Sequence, residues 1–114
     1  MTTPGRELYD RQIGFLLAKD ADGLIDTNYA PDAELISFAN VIKGRAALKE
    51  YFRGYITMLG DLRVKSIDKF QEAGDAVFFE ATVQSALGEA HVYDAFVVRD
   101  GKITHHFTGV MGTP

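Results

Sequence analysis

The chain has 114 residues, of which 46% are hydrophobic and 25% charged, and its formal net charge is −4. This length predicts a single domain over residues 1–114, and the negative charge with scattered lysines and arginines argues against a nucleic-acid-binding surface. Cysteine is absent, which excludes disulfides and thiolate metal sites, and no apolar run is long enough to span a membrane. The short polar start Met1–Gly5 has no apolar signal region, so we expect a cytoplasmic protein.

Helices are predicted in the first half of the chain. From Arg6 to Asp20 the apolar residues recur every three or four positions, which predicts a helix with one apolar face. Residues 24–29 predict a short second helix that Pro31 ends. After a strand over residues 33–38, extending at most to residue 42, a third helix begins at Gly44 and closes at Gly60. Its apolar stripe consists of Leu48, Tyr51, Phe52, Tyr55, Ile56 and Leu59.

The rest of the chain predicts four long strands, over residues 62–72, 75–87, 89–99 and 102–111. Gly74, Gly88 and Gly101 separate them, and short glycine turns between long strands are typical of an antiparallel meander. In the last turn, Gly101 follows Asp100 and can adopt the positive φ of a tight hairpin. The order predicts an α+β fold, with three N-terminal helices packed on a strongly curved, mainly antiparallel sheet.

The strand before this last turn contains a carboxylate among apolar residues. Alternation places Asp94 on the same face as Phe96 and Val98. If that face is buried, Asp94 points into the interior, where a carboxylate needs a hydrogen-bonding partner. Asp94 is then either part of a functional site or a structural residue bonded to Tyr51, Tyr55 or a backbone amide.

The two faces of the strand at residues 75–87 allow two interpretations. Val77, Phe79, Ala81 and Val83 form an apolar set that is the natural core face, which leaves Glu80 outside. A slip of one residue exchanges the faces and brings Glu80 inside. Because both faces carry apolar residues, we expect the sheet to be covered, and we predict a homodimer that packs through it.

Three segments of the chain carry a family resemblance. Residues 18–24 and 29–35 (AKDADGL and YAPDAEL) lie where two helices lead into a strand, residues 44–52 (GRAALKEYF) begin the third helix, and residues 100–107 (DGKITHHF) form the final hairpin. In this order and spacing they resemble the SnoaL-like branch of the nuclear transport factor 2-like superfamily, which includes ketosteroid isomerases and polyketide cyclases. The resemblance covers nearly the whole chain. It implies a cone in which the sheet curls around the helices and leaves a deep apolar pocket.

Ketosteroid isomerases offer one comparison for the residues of this pocket. By resemblance, Asp94 stands where those enzymes carry the protonated aspartic acid of their oxyanion hole. Their catalytic base is replaced by Ser37, which cannot abstract a carbon-bound proton at neutral pH. Gln12 or Ile13 stands at the position of their oxyanion-hole tyrosine, and Tyr9 lies about one turn too early. The resemblance therefore argues against a steroid isomerase of that mechanism.

His106 is the second candidate for catalysis. SnoaL-like proteins commonly carry Glu-His-Trp-Asp in the last strand, whereas residues 105–108 here read His-His-Phe-Thr. The histidine is kept, and Thr108 replaces the acid, which weakens the case for a cyclase of the usual type. The resemblance places His106 on the pocket wall, within possible reach of Asp94. A carboxylate beside an imidazole can fix its tautomer and tune it as an acid or base, while the alternative is a structural histidine of the wall.

The other histidines are weaker candidates. His105 is adjacent to His106 on a strand, so the two point to opposite faces and His105 is expected to face solvent. His91 is expected at the pocket mouth or at an interface. The histidines lack the spacing of a metal site, and we expect neither a metal nor a cofactor.

Two functions of different classes remain possible. One is a cofactor-independent isomerase, cyclase or hydratase that acts by acid–base chemistry on a hydrophobic carbonyl-bearing or cyclic substrate, with Asp94 and His106 as the catalytic pair and a tyrosine as the oxyanion donor. The other is a non-catalytic module for dimerisation or for binding a small hydrophobic molecule. Most aromatic residues are expected in the core, with some lining the cavity. The candidates for ligand contact are Tyr9, Phe15, Ser37, Tyr51, Tyr55, Phe96 and Thr108.

Overall fold

A computed structural model describes residues 3–112 of the chain as three helices and a six-stranded sheet. The α+β class is as predicted, but the third helix follows the first two strands, so the helices are not all N-terminal. The elements in chain order are α1 (Pro4–Leu17), α2 (Ala21–Asn28), β1 (Tyr29–Ile36), β2 (Val41–Lys43), α3 (Arg45–Leu59), β3 (Arg63–Ala73), β4 (Ala76–Ser85), β5 (Gly88–Arg99) and β6 (Lys102–Gly112).

Side chains cap the first two helices. Thr3 is the N-cap of α1, and its hydroxyl accepts a hydrogen bond from the backbone N–H of Arg6 at 3.2 Å. Asp20 caps α2 in the same way by accepting from the backbone N–H of Gly23 at 2.9 Å. Caps of this kind satisfy N–H groups that have no partner within a helix, and the chain therefore starts both helices at fixed residues.

The sheet has the strand order β2-β1-β6-β5-β4-β3. The last four strands form the predicted antiparallel meander, and β1 pairs with β6 in parallel, which makes the sheet mixed. The prediction for the start of β1 was wrong. The strand begins at Tyr29 and contains Pro31, whose missing N–H is tolerated because the β1–β6 register shifts between Tyr29 and Glu34.

The hairpin between β5 and β6 has the predicted turn. Asp100 and Gly101 both have positive φ, 53° and 76°. Two successive positive φ values define the type I′ turn, whose twist matches that of the two strands it joins. This turn sets Arg99 opposite Lys102, and the register of β5 and β6 then shifts between Val97 and Val98 before the strands reach Asp94 and His106.

The helices pack on one face of the curved sheet and form the core with it. Leu24 and Ile25 of α2, Leu48 and Phe52 of α3, and Phe96 of β5 are all almost fully buried. Burial of such a side chain contributes roughly 1.5–3 kcal/mol, so the helical layer and the sheet stabilise each other. Among the described residues, no helix has the length and apolar character needed to cross a membrane.

Candidate functional site

A cavity of about 190 Å³ lies between the helices and the inner face of the sheet. α1 and α3 form one side of it and strands β3 to β6 the other, and apolar side chains make up most of its wall. Eight of the residues singled out from the sequence line this cavity: Tyr9, Ser37, Tyr51, Tyr55, Asp94, Phe96, His106 and Thr108.

Phe15 is placed elsewhere. On α1, Tyr9, Gln12 and Ile13 face the cavity, whereas Phe15 is turned toward α2. Its ring lies so close to Gly23 that a side chain at that glycine would collide with it. The expectation that Phe15 contacts a ligand does not fit this position, since the ring fills the joint between the two helices instead.

Asp94 and His106 form a hydrogen-bonded pair on the cavity wall. In the β5–β6 ladder Asp94 lies opposite Thr108, and His106 lies opposite Phe96, so the two side chains are diagonal neighbours on one face. Asp94 Oδ1 is 2.6 Å from His106 Nε2. The His106 side chain is 5% exposed and that of Asp94 17%, so of the two the carboxylate is the more accessible from the cavity.

Three tyrosines face the same cavity as this pair. Burial raises the pKa of Tyr55 to about 12, and the nearby Asp94 carboxylate adds to the shift. The same two causes, in the same order, raise the pKa of Tyr51, and burial raises that of Tyr9. These phenols therefore remain protonated at neutral pH and can donate hydrogen bonds to an oxygen in the cavity.

Tyr29, which the sequence pattern places in the second helix, is fully buried at the start of β1 and contacts the second nitrogen of the His106 ring. The Tyr29 hydroxyl is 2.8 Å from His106 Nδ1, and Gln12 Nε2 donates to the same hydroxyl at 2.9 Å. The position of Pro31 was the available signal, because the residue before a proline is biased toward extended backbone. That bias ends α2 earlier and places Tyr29 at the first position of β1.

The remaining polar groups of the cavity are less free to react. Ser37 Oγ accepts hydrogen bonds from the backbone N–H groups of Ala39 and Asn40, at 3.3 and 3.1 Å, and so stabilises the turn before β2. Thr108 lies opposite Asp94 in the β5–β6 ladder. Asp94 is the one carboxylate among the described residues that line the cavity.

Glu80, His91 and His105 lie outside the cavity, on the outer face of the sheet. Phe79 and Ala81 line the cavity, so Glu80 between them points outward, 3.6 Å from Lys69. This placement decides between the two interpretations of β4.

The two outer histidines have partners of their own on that face. His91 is hydrogen-bonded to Thr82 at 2.9 Å, and His105 Nε2 lies 3.4 Å from Glu34 Oε2. Within residues 3–112, the histidines and carboxylates form no cluster that could hold a metal ion.

Comparison with known proteins shows the family and the fold. A family model described as a SnoaL-like domain matches residues 8–106. A protein of unknown function from Burkholderia xenovorans LB400, described as similar to nuclear transport factor 2, superposes with a TM-score of 0.80 at 19% identity, covering 97% of this chain and 84% of that one. Among curated proteins, none matches the chain.

Two further solved structures have the same fold. TerC, co-crystallised with polyporic acid, superposes with a TM-score of 0.78 at 22% identity and covers 95% of this chain and 92% of its own. A proposed polyketide cyclase from Sinorhizobium meliloti gives a TM-score of 0.77 at 16% identity, with coverages of 90% and 94%. At these identities the likeness extends to the fold alone.

Proposed function

The chain belongs to the SnoaL-like domain family, and we propose that it is a cofactor-independent acid–base enzyme acting on a small cyclic or carbonyl-bearing molecule. The observation that carries this proposal is the Asp94–His106 hydrogen bond of 2.6 Å in the wall of a largely apolar cavity. Burial of a carboxylate in an apolar wall costs free energy, and groups of this kind occur preferentially at functional sites. One structural neighbour was crystallised with polyporic acid and another is a proposed polyketide cyclase, and both support a small organic ligand.

The size of the cavity favours a ligand of one or two rings. Its volume is about 190 Å³, and an apolar protein cavity of about 150 Å³ is enough to admit benzene. A substrate can extend further through the open mouth, but the part that meets Asp94 has to fit among the rings of Phe52, Phe79 and Phe96. These walls favour an apolar, planar group at the reacting end.

The proposed reaction begins with proton transfer to Asp94. The carboxylate takes a proton from a carbon next to the substrate carbonyl, and the electron pair of that C–H bond forms an enolate. The O–H groups of Tyr51 and Tyr55 donate hydrogen bonds to the enolate oxygen. In an isomerisation Asp94 returns the proton to a more distant carbon. In a cyclisation the enolate carbon bonds to a second carbonyl carbon, whose oxygen takes up the proton.

A direct test uses a β,γ-unsaturated cyclohexenone, whose conjugated product absorbs in the ultraviolet. We expect the wild type to accelerate its isomerisation and Asp94→Asn to lower the rate by at least about 100-fold, because a positioned general base contributes a factor of this order. Exchange of the substrate's α-protons in heavy water, followed by NMR, detects the same proton transfer even where no product accumulates.

The matched control is Asp68→Asn, which makes the same chemical change on the outer face. Asp68 is hydrogen-bonded to Ser66 and Thr82 and does not line the cavity. The control should retain wild-type turnover. If Asp94→Asn and His106→Gln both keep full rates of proton exchange and isomerisation, the proposal is wrong.

The second candidate function is non-catalytic binding of a small hydrophobic molecule. The observation that favours it is that Asp94 has no second carboxylate beside it among the described cavity residues. By family resemblance, Ser37 stands in place of a catalytic base and Thr108 in place of an acid. In that case a cyclic ketone should bind, as measured by calorimetry, and be recovered without product or α-proton exchange.

A further inference from the structure

A row of hydrogen bonds runs from the cavity wall through the core to the protein surface. Beyond His106 it continues from Tyr29 to Gln12, and Asn28 Nδ2 donates to Gln12 Oε1 at 3.1 Å. Arg11 Nε in turn donates to Asn28 Oδ1 at 3.3 Å. Tyr29 and Asn28 are fully buried and Gln12 is 3% exposed, so water cannot substitute for these partners. We call these five residues, His106, Tyr29, Gln12, Asn28 and Arg11, the polar chain.

The direction of every bond in the polar chain follows from its outer end. A guanidinium can only donate, so the Asn28 atom that faces Arg11 is the amide oxygen. Asn28 therefore presents its NH₂ group to Gln12, and Gln12 presents its own NH₂ group to the Tyr29 oxygen. The Tyr29 hydroxyl already accepts this bond, and its single hydrogen is left to point at His106 Nδ1.

We propose that the polar chain holds His106 as the neutral imidazole with its proton on Nε2, and that Gln12 and Tyr29 are positioning residues for the Asp94–His106 pair. Because Nδ1 accepts from Tyr29, the ring proton lies on Nε2 and points at Asp94 Oδ1. Asp94 is then the ionised partner that accepts. If Nδ1 carried the proton instead, the Tyr29 oxygen would accept from it. The Tyr29 hydrogen would then be buried without an acceptor and would face the NH₂ group of Gln12, which is unfavourable.

The surroundings of the ring support this assignment. Its faces and edges contact Phe96, Phe52 and Tyr29, with the Phe96 ring centroid at 4.7 Å. Asp94 is the charged group bonded to the ring, and the tyrosines of the cavity are neutral donors at neutral pH. The Arg45 guanidinium lies on the far side of Tyr29, bonded to its backbone oxygen at 2.8 Å. The hydrogen bonds that His106 makes with Tyr29 and with Asp94 therefore determine which of its ring nitrogens carries the proton.

The assignment deepens the proposed function, and its catalytic meaning rests on that function. It makes Asp94 the proton acceptor, and it makes His106 a fixed hydrogen-bond donor that orients the carboxylate. A reversed polar chain would protonate Nδ1 and convert the ring to an imidazolium or Asp94 to the neutral acid. An imidazolium would weaken the Asp94 carboxylate as a base, and the neutral acid could not act as one.

The polar chain can be reversed by nearly isosteric substitutions. In Gln12→Glu the carboxylate can only accept, so Tyr29 must donate to it and accept from His106 Nδ1–H. Asn28→Asp should act from one residue further away. Its carboxylate accepts hydrogen bonds from Arg11 and from the NH₂ group of Gln12. The Gln12 amide is thereby turned over, and its oxygen faces the Tyr29 hydroxyl. The control is Gln71→Glu, the same substitution at an exposed residue of β3.

NMR of isotope-labelled histidine nitrogens reads the result on the free protein, without substrate. We expect wild type and Gln71→Glu to show an unprotonated Nδ1 and a protonated Nε2 at His106, and Gln12→Glu and Asn28→Asp to show a protonated Nδ1. A wild-type Nδ1 that carries the proton, or the same ring signal in all four proteins, would overturn the assignment. Asn28→Asp provides the test if Gln12→Glu does not fold.

Turnover separates this inference from the proposed function. If Asp94 is the base, Gln12→Glu should lower kcat on the cyclohexenone at least roughly tenfold while KM changes little. A protein that shows the expected ring signals but no activity in any form would retain the assignment and lose the proposed function. An active enzyme whose wild type carries the proton on Nδ1 would retain the proposed function and lose the assignment.

Discussion

At the scale of single residues, the cavity combines one carboxylate with several neutral donors. Asp94 is bonded to His106 at 2.6 Å, and the phenols of Tyr51 and Tyr55 face it across the cavity. The two rings lie parallel, with centroids 6.0 Å apart, so both phenols are held in place by packing. A base and fixed O–H donors in an apolar wall are the elements that enolate chemistry requires.

The pKa of Tyr55 gives a prediction at alkaline pH. Burial raises this pKa from 10.0 in the unfolded chain to about 12, so the folded state favours the protonated phenol. The stabilisation is complete below pH 10 and is lost as the pH rises toward 12. In Tyr55→Phe we therefore expect the free energy of unfolding to fall less steeply between these two pH values, as measured by denaturant titration.

The same tyrosine can be observed directly by absorbance. In the folded wild type, one tyrosine should ionise only near pH 12, and the corresponding rise in tyrosinate absorbance should be absent from folded Tyr55→Phe. In concentrated guanidinium both proteins should titrate near the unfolded value. A wild type that shows the same absorbance profile folded and unfolded would contradict the prediction.

At the scale of secondary-structure elements, β3 and α1 are joined by a carboxylate. Glu72 of β3 accepts hydrogen bonds from the Thr3 hydroxyl and from the backbone N–H of Gly5, the latter at 3.0 Å. Its negative charge lies at the positive end of the helix dipole. A side chain at Gly5 would meet the carboxylate end of Glu72 and displace it from this position.

We predict that Glu72→Ala lowers the free energy of unfolding by about 1 kcal/mol, because it removes a charged partner from the first turn of α1. Glu72→Gln should lose part of this amount, since it keeps an oxygen acceptor without the charge. Chemical denaturation measures both. Glu50→Ala, at an exposed position of α3, controls for the loss of a negative charge. Equal stability of the wild type and Glu72→Ala would rule out the capping role.

At the scale of the whole molecule, the outer face of the sheet carries a row of apolar side chains. Phe78, Ala95 and Phe107 are direct neighbours across β4, β5 and β6. Phe78 is 47% exposed and Phe107 39%, values too high for core residues. An exposed apolar row of this kind, on the face opposite the helices, is suited to pack against the same face of a second copy of the chain.

We predict a homodimer that packs through this face, with twice the chain mass of 12.6 kDa by light scattering at micromolar concentration. Phe78→Glu should give the monomer, because it places a charge at the centre of the contact. Met58→Glu, at a residue 51% exposed on α3 and therefore on the helical side of the sheet, should remain a dimer. A monomeric wild type at this concentration would contradict the prediction.

The sequence determined those features that depend on local pattern. The glycine after Asp100 predicted the hairpin turn, since few residues tolerate positive φ there. The alternation of β5 predicted that Asp94 and Phe96 share a face, because the period of a strand is fixed by its backbone. The family segments predicted the fold, and helix periodicity predicted the stripe of α3 that supplies Tyr51 and Tyr55 to the cavity.

Only the tertiary structure decided which residues meet across long separations. Tyr29, Gln12 and His106 lie far apart in the chain and are joined by hydrogen bonds that no local pattern reports. The same holds for the outward direction of Glu80 and for Phe15 between α1 and α2, which depend on how neighbouring elements pack. Periodicity fixes a residue's face within its own element, whereas a site is formed by the packing of several elements.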